Sequence, residues 1–180
     1  MMIAVFLAEG FEEIEALATV DILRRAGLDV VTVGVGGQYI RGAHRITVKA
    51  DIEDHKATAD GISAVVLPGG MPGTINLERS PAVKSFLKTA HEKNILICAI
   101  CAAPSILGHL GLLKGRKAVC FPGFEGELEG AEIVDSPVVS DGQFITAKGP
   151  GAAIEFGLSI VERLTSKEKA DEIRRAMQCV

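Results

Sequence analysis

Basic charge is in short supply in this sequence. Its 19 lysines and arginines face 23 acids, giving a formal net charge of −4 and a pI near 5.6. Binding to nucleic acid is built on basic stripes that neutralise phosphates, so no nucleic-acid partner is expected. Long apolar runs are missing too. None approaches the ~20 residues that span a bilayer, so no membrane partner is expected either. The opening "MMIAVFLAEG" has no basic n-region, and its apolar stretch runs into acids. It reads as a first strand rather than a signal peptide. The four cysteines show no framework spacing. With no export signal, they point to a reducing cytoplasm, where a cysteine is either packing or chemistry. Internal repeats, low-complexity tracts and linkers are absent. What remains is 180 residues, 48% of them hydrophobic. That is a single domain covering residues 1–180, which buries roughly 70% of its unfolded surface with no help from a disulfide or metal.

Short β-branched runs alternate with segments of helical period. "IAVFLA" is a continuous apolar run, as a strand covered on both faces should be. A helix is predicted from about Glu12 to Ala26, with Ile14, Leu17, Ala18 and Ile22 on its inward face. Acids fill its first turn, Arg24 and Arg25 its last, and Gly27 supplies the stop. "LDVVTVGV" is a second strand, and "QYIRGAHRITVKA" a hairpin or edge excursion about Gly42. "ISAVVLPGG" is a third core strand, followed by a loop rich in Pro and Gly and a helix from about Pro81 to Glu92. "ILICAI" is a fourth, with a helix from about Ala103 to Leu113. "KAVCF" and the hairpin "PVVSDGQFITA", turning on Asp141-Gly142, add further strands. Helices over about Pro150 to Leu164 and Lys167 to Met177 complete the chain. The alternation predicts an α/β fold with a mostly parallel sheet and helices on both faces. Ligands of such sheets bind beyond the carboxyl ends of the strands.

Three of those ends carry candidate chemistry: "EGFEEIE", "LPGG" and "AICAAP". Cys101 sits between strand and helix, where Gly-x-Ser-x-Gly enzymes place a nucleophile on a strained elbow with small neighbours. Ala99, Ala102 and Ala103 supply those neighbours here, and Pro104 suits the first helical turn. A thiol at that helix N-terminus is expected to have its pKa lowered into the ~3.5–7.5 range. Spacing alone leaves two readings of Cys101 open, a packed core cysteine or a presented nucleophile. Cys98 completes a C-x-x-C but lies inside the strand, where alternation points it away from Cys101 into the core. Cys120 and Cys179 show no chemical pattern, and Cys179 is expected to be exposed. Glu12 and Glu13 read as helix-dipole partners on a solvated face. Glu15 borders the apolar stripe; beside a thiolate it would hold its proton and donate a hydrogen bond, a group able to shuttle protons. Gly69 and Gly70 permit positive φ and leave N–H groups uncovered. The amides of Gly70 and Ala102 can form an oxyanion hole, although a simple tight turn fits "LPGG" equally well. Histidines occur at 44, 55, 91 and 109 and at no later position. A cysteine–histidine–acid triad is therefore not expected.

"AICAAP", "VVLPGG", "LAEGFEEIEALATVDILRRAG" and "KGPGAAIEFGLSIVERL", four motifs in order along nearly the whole chain, resemble the ThiJ/PfpI superfamily. The likeness is closest to the branch of the parkinsonism-associated deglycase and its bacterial relatives. The resemblance implies a flavodoxin-like three-layer sandwich of the class I glutamine amidotransferase type. It also implies a homodimer and no metal or organic cofactor. It puts the reactive, oxidation-sensitive cysteine at Cys101, the carboxylic acid bonded to it at Glu15, and backbone donors at Gly70 and Ala102. Part of the family dimer surface falls around Ile14 and Arg25. Where an animal member has a histidine before a proline, this chain has Phe121 ahead of Pro122, which weakens a mechanism using a histidine base. His44, with Arg45 next to it, replaces an arginine near the dimer contact. Ala102 argues against the protease-like branch, whose histidine directly follows the cysteine.

The expected activity is a cofactor-free, cysteine-dependent glyoxalase or deglycase acting on small dicarbonyls such as methylglyoxal, or on their glycated protein adducts. The alternative is an oxidative-stress sensor or redox-regulated chaperone working through oxidation of the same thiol. A cysteine peptidase ranks last.

Overall fold

The computed structural model describes residues 2–179. In chain order the elements are β1 (Met2–Leu7), α1 (Glu13–Arg25), β2 (Asp29–Gly34), β3 (Tyr39–Arg41), β4 (Thr47–Lys49) and β5 (Ile52–Glu53). Then come β6 (Ile62–Leu67), α2 (Gly73–Arg79), α3 (Pro81–Glu92), β7 (Leu96–Ile100), α4 (Pro104–His109), β8 (Lys117–Ala118) and β9 (Glu132–Ile133). The chain closes with β10 (Val138–Asp141), β11 (Phe144–Ala147), α5 (Ala153–Leu164) and α6 (Lys167–Ala176). Seven strands form one sheet in the order β10-β11-β7-β6-β1-β2-β5. Every neighbouring pair in it is parallel except β10 with β11, the hairpin that turns at Asp141-Gly142. The fold is thus an α/β three-layer sandwich.

Strand alternation sorts the apolar side chains into two cores, one on each face of the sheet. Ile3, Val5, Leu7, Val66, Cys98 and Ile100 point to the layer of α1, α5 and α6. Ala4, Phe6, Val65, Leu67, Ile97 and Ala99 point to the layer of α2, α3 and α4, where Phe6 meets Phe86 edge to face at 5.0 Å. Both faces are covered, which is why the strands read as unbroken apolar runs. On the first face α5 lies close on α1. A Cβ at Gly157 would stand 2.9 Å from Ile22 Cδ1, so this glycine sets the helix separation.

Five expectations are corrected. First, Ile14 is 58% exposed, and Leu17 and Ala18 are half-buried. The inward face of α1 is instead Ala16, Thr19, Val20 and Leu23, with Ile22 buried as expected. Both stripes have helical period, and only the packing against α5 and the sheet decides between them. Second, α4 stops at His109 rather than near Leu113, and the chain turns on through Gly111 at φ +69°. Third, "KAVCF" contributes only the two-residue β8, which pairs with β9 outside the main sheet. Beyond it Val119 N–H donates to Thr146 Oγ1 at 3.0 Å, not to a strand ladder. Fourth, the loop after "LPGG" contains α2, which the prolines and glycines concealed. Fifth, Cys179 is half-buried rather than exposed.

Candidate active site

From β1 the chain runs one way to β2, then returns to place β6 on the other side of β1. The crevice of such a sheet opens where the strand order reverses, at the carboxyl ends of β1 and β6. The two ends are tied together, since Glu12 N–H donates to the Gly69 carbonyl at 2.9 Å. The neighbouring end of β7 delivers Cys101. All three predicted strand ends therefore meet at one place.

Cys101 leaves the strand with φ +65°, a left-handed backbone that side-chain-bearing residues seldom adopt. Its N–H donates to the Ala147 carbonyl at 2.9 Å, and its own carbonyl accepts from Phe121 N–H at 2.8 Å. The end of β11 and the segment after β8 thus pin the elbow from both sides. A tight turn of this kind lifts a side chain out of the sheet, and Cys101 is half-buried. The same turn changes its direction. Alternation along a straight strand would have set Cys101 opposite Cys98, but Cys101 packs against the same α1–α5 layer. Cys98 itself is fully buried, and burial pushes its thiol far up.

Glu15 comes from the first turn of α1 and is 1% exposed. Its Oε2 accepts from Gly69 N–H at 2.8 Å. Oε1 is buried with no hydrogen-bond partner, and the Cys101 thiol beside this carboxyl pulls its pKa down against the burial. The amides of Ala102 and Gly70 pull the Cys101 thiol pKa down. Sequence reasoning named Gly70 as a donor but missed the role of Gly69. A Cβ at Gly69 would lie 2.7 Å from Cys101 Cβ and 2.9 Å from Glu15 Oε2, so the thiol-bearing and carboxyl side chains meet only because residue 69 has no side chain. Gly70, at φ +89°, is closed to larger residues as well, because a Cβ there would strike Glu12 N. The doubled glycine of "LPGG" was the available signal.

Electrostatics reverses one expectation. Burial raises the Glu15 carboxyl to about 7, with the Cys101 and Gly69 hydrogen bonds pulling the other way. The thiol is not lowered. Burial, followed by the Glu15 charge and hydrogen bond, pushes Cys101 up to about 12 against the pull of the Ala102 and Gly70 amides. The expected helix-end effect loses because α4 is six residues long and begins beyond Cys101. Glu15 therefore ionises first, and a carboxylate poised near neutrality faces a protonated thiol. Such a pair can generate thiolate by passing the thiol proton to the carboxylate as sulfur attacks an electrophile.

Glu12 and Glu13 are buried rather than solvated, at 7% and 4% exposure. Glu12 caps α1 through Ile14 N–H, and Glu13 accepts from the His44 and Ile46 amides. They hold down the β3–β4 hairpin. His44 Nδ1 lies 3.1 Å from Glu12 Oε2 and 3.0 Å from Glu13 Oε2. These three are the one group of metal-ligating side chains drawn within 4.8 Å among the described residues, and it lies outside the cysteine site. No histidine is a hydrogen-bond partner of Cys101 or Glu15 among the described residues. Cys120 is buried, and burial, then the Glu125 charge, raises it to about 11. Beside the elbow opens a cavity of about 640 Å³ lined by Phe121, Pro122, Pro137, Lys148, Gly149 and Pro150 among others. Phe121, where the resemblance marked a departure, thus both lines this cavity and bonds the elbow carbonyl.

Fold and elbow together define a class, the α/β sandwiches that present a cysteine on a strand-to-helix turn. A model of the DJ-1/PfpI family matches residues 1–163, and the chain belongs to that family. It is 36% identical to protein dj-1beta of Drosophila melanogaster over 176 residues, covering 96% of this chain and 94% of that one. It is 33% identical over 170 residues to a protein of Caenorhabditis elegans named glutathione-independent glyoxalase DJR-1.2, covering 94% and 91% of the two chains. The solved structure of oxidized Toxoplasma gondii DJ-1 superposes with a TM-score of 0.95 at 35% identity, covering 98% of this chain and 97% of that one.

Proposed function

We propose that this protein is a cofactor-free glyoxalase or deglycase in which Cys101 is the nucleophile. Its substrates are methylglyoxal-like α-oxoaldehydes or their adducts on proteins. The observation that carries the reading is the Glu15 carboxyl, buried, held by the Gly69 amide and set against Cys101 across Gly69. The kinship with a protein named as a glyoxalase supports it. The Glu15 carboxylate takes the thiol proton as sulfur adds to the aldehyde carbon. The resulting oxyanion is met by the Gly70 and Ala102 amides. After the oxyanion is protonated, Glu15 relays the former aldehyde hydrogen, as a proton, to the adjacent carbon through an enediol, leaving a thioester. Water then cleaves the thioester, so that one methylglyoxal and one water give one lactate and the free thiol. The exposed stripe of α1 around Ile14 is the surface through which a homodimer would form.

The test is lactate formation from methylglyoxal without glutathione, followed across pH. Because Glu15 must be ionised to act as the base, kcat/KM should rise as pH increases through about 7. A rate that falls through that range would overturn the role of Glu15 as base. The partial exposure of Cys101 also favours a redox-sensor reading. Intact mass after mild peroxide decides between them: two oxygens gained at Cys101, with negligible lactate formation, would favour the sensor.

A further inference from the structure

The segments that build the site continue away from it and meet again at a single imidazole. His109 is the last residue of α4, the helix that follows the Cys101 elbow. Its Nδ1 lies 2.6 Å from Glu78 Oε1, and its Nε2 lies 2.7 Å from Glu127 Oε2. Glu78 belongs to α2, the helix that follows the Gly70 loop. At the other end of α2 the Thr74 N–H and hydroxyl both donate to the Gly70 carbonyl, at 2.8 and 3.0 Å. Glu127 lies in the 3-10 turn Glu125–Glu127, on the stretch that begins with Phe121 and Pro122 in the cavity wall. A second contact links that stretch to α4. A Cβ at Gly108 would strike the Glu127 carbonyl and stand 2.8 Å from Leu128 Cα, so the two segments meet backbone to backbone.

We propose that His109 is a positioning residue for the Cys101 site, its imidazolium clasping Glu78 and Glu127 so that the Phe121–Leu128 wall and the Gly70 loop keep register with the elbow. A carboxylate on each ring nitrogen asks both nitrogens to donate, and only the doubly protonated ring can do so. One exposed ion pair contributes little to stability. Here one ring closes two loops, and both loops end in the site. Glu78 and Glu127 are the charged groups that face the ring. They raise its pKa, the Glu127 hydrogen bond most and the Glu78 hydrogen bond next. The clasp is therefore complete below the ordinary imidazole range and is released as pH climbs through the raised value. The alkaline side of the activity profile should belong to His109.

The kinetic part of this inference rests on the proposed glyoxalase activity, so the test carries a structural readout that does not. Amide hydrogen exchange over residues 121–128 and methylglyoxal kinetics are measured between about pH 6 and 9, where a histidine titrates. Wild type is compared with His109→Gln and His109→Arg. In His109→Gln, exchange should quicken over 121–128 while the β1, β6 and β7 amides stay protected. KM should rise about tenfold with kcat changed far less, well short of the ~100-fold that an ångström of misplacement at the reacting atoms costs. His109→Arg keeps a permanent cation with several donors. It should restore slow exchange and abolish the alkaline loss expected of wild type. Unchanged exchange in His109→Gln would overturn the inference. Exchange quickened throughout the sheet would also overturn it, since that marks a general stability role. If wild type forms no lactate, the glyoxalase reading fails, and the local exchange pattern still decides the clasp.

Discussion

Cys101→Ser should form essentially no lactate from methylglyoxal, a loss of at least about a thousandfold in kcat, in the range seen when a nucleophile is removed from an enzyme. The fold should survive. The elbow is held by backbone bonds, from Cys101 N–H to Ala147 O and from Phe121 N–H to Cys101 O, which serine leaves intact. The chemistry does not survive, because Glu15 must then pull a proton from an alcohol rather than from a thiol. A carboxyl near 7 is already a weak base for a thiol raised to about 12, and a hydroxyl is harder still to deprotonate. Circular dichroism and thermal unfolding establish that the variant is folded. Turnover within tenfold of wild type would remove Cys101 from the mechanism.

Glu15→Gln should lose activity on a similar scale and gain stability. Glutamine can still accept from Gly69 N–H, but it takes no proton from Cys101. The stability effect follows from burial, which raises the folded carboxyl from 4.5 to about 7. A group raised in this way is most favourable to folding when protonated. Its contribution is fully present below its unfolded value, falls as pH rises toward 7, and is lost above it. Above pH 7 the native state carries a buried anion at a cost of about 3 kcal/mol by proton linkage. Urea unfolding at mildly alkaline pH should therefore find Glu15→Gln more stable than wild type, and at acidic pH the two should converge. Equal stability at both pH values would mean that Glu15 is not held against its burial. Gain of stability with loss of turnover is the usual mark of a group kept for chemistry.

Most of the sheet was legible because its strands are buried on both faces and announce themselves as apolar runs bounded by Gly, Pro and charge. Cys101, Glu15, Gly70 and Ala102 were legible because parallel strands end on one edge, so three separate motifs had to converge. The illegible parts have physical reasons. Two stripes of helical period compete on α1, and sequence cannot say which one meets α5. The burial of Glu12 and Glu13 depends on amides of the β3–β4 hairpin far along the chain. The thiol pKa was misjudged because local helix geometry is visible in sequence, whereas burial and the distance to Glu15 are not. His109 gives no signal in the sequence, since both its partners lie on other elements.

The backbone at Cys101 has a consequence for how this site persists. Left-handed φ is territory where glycine sits freely and a β-carbon costs on the order of 1–2 kcal/mol. The most comfortable occupant of position 101 is therefore one that cannot react. A population of this chain selected for thermal endurance alone would drift toward glycine there and grow hardier as it fell silent. At φ +65° cysteine carries a backbone cost that glycine would not.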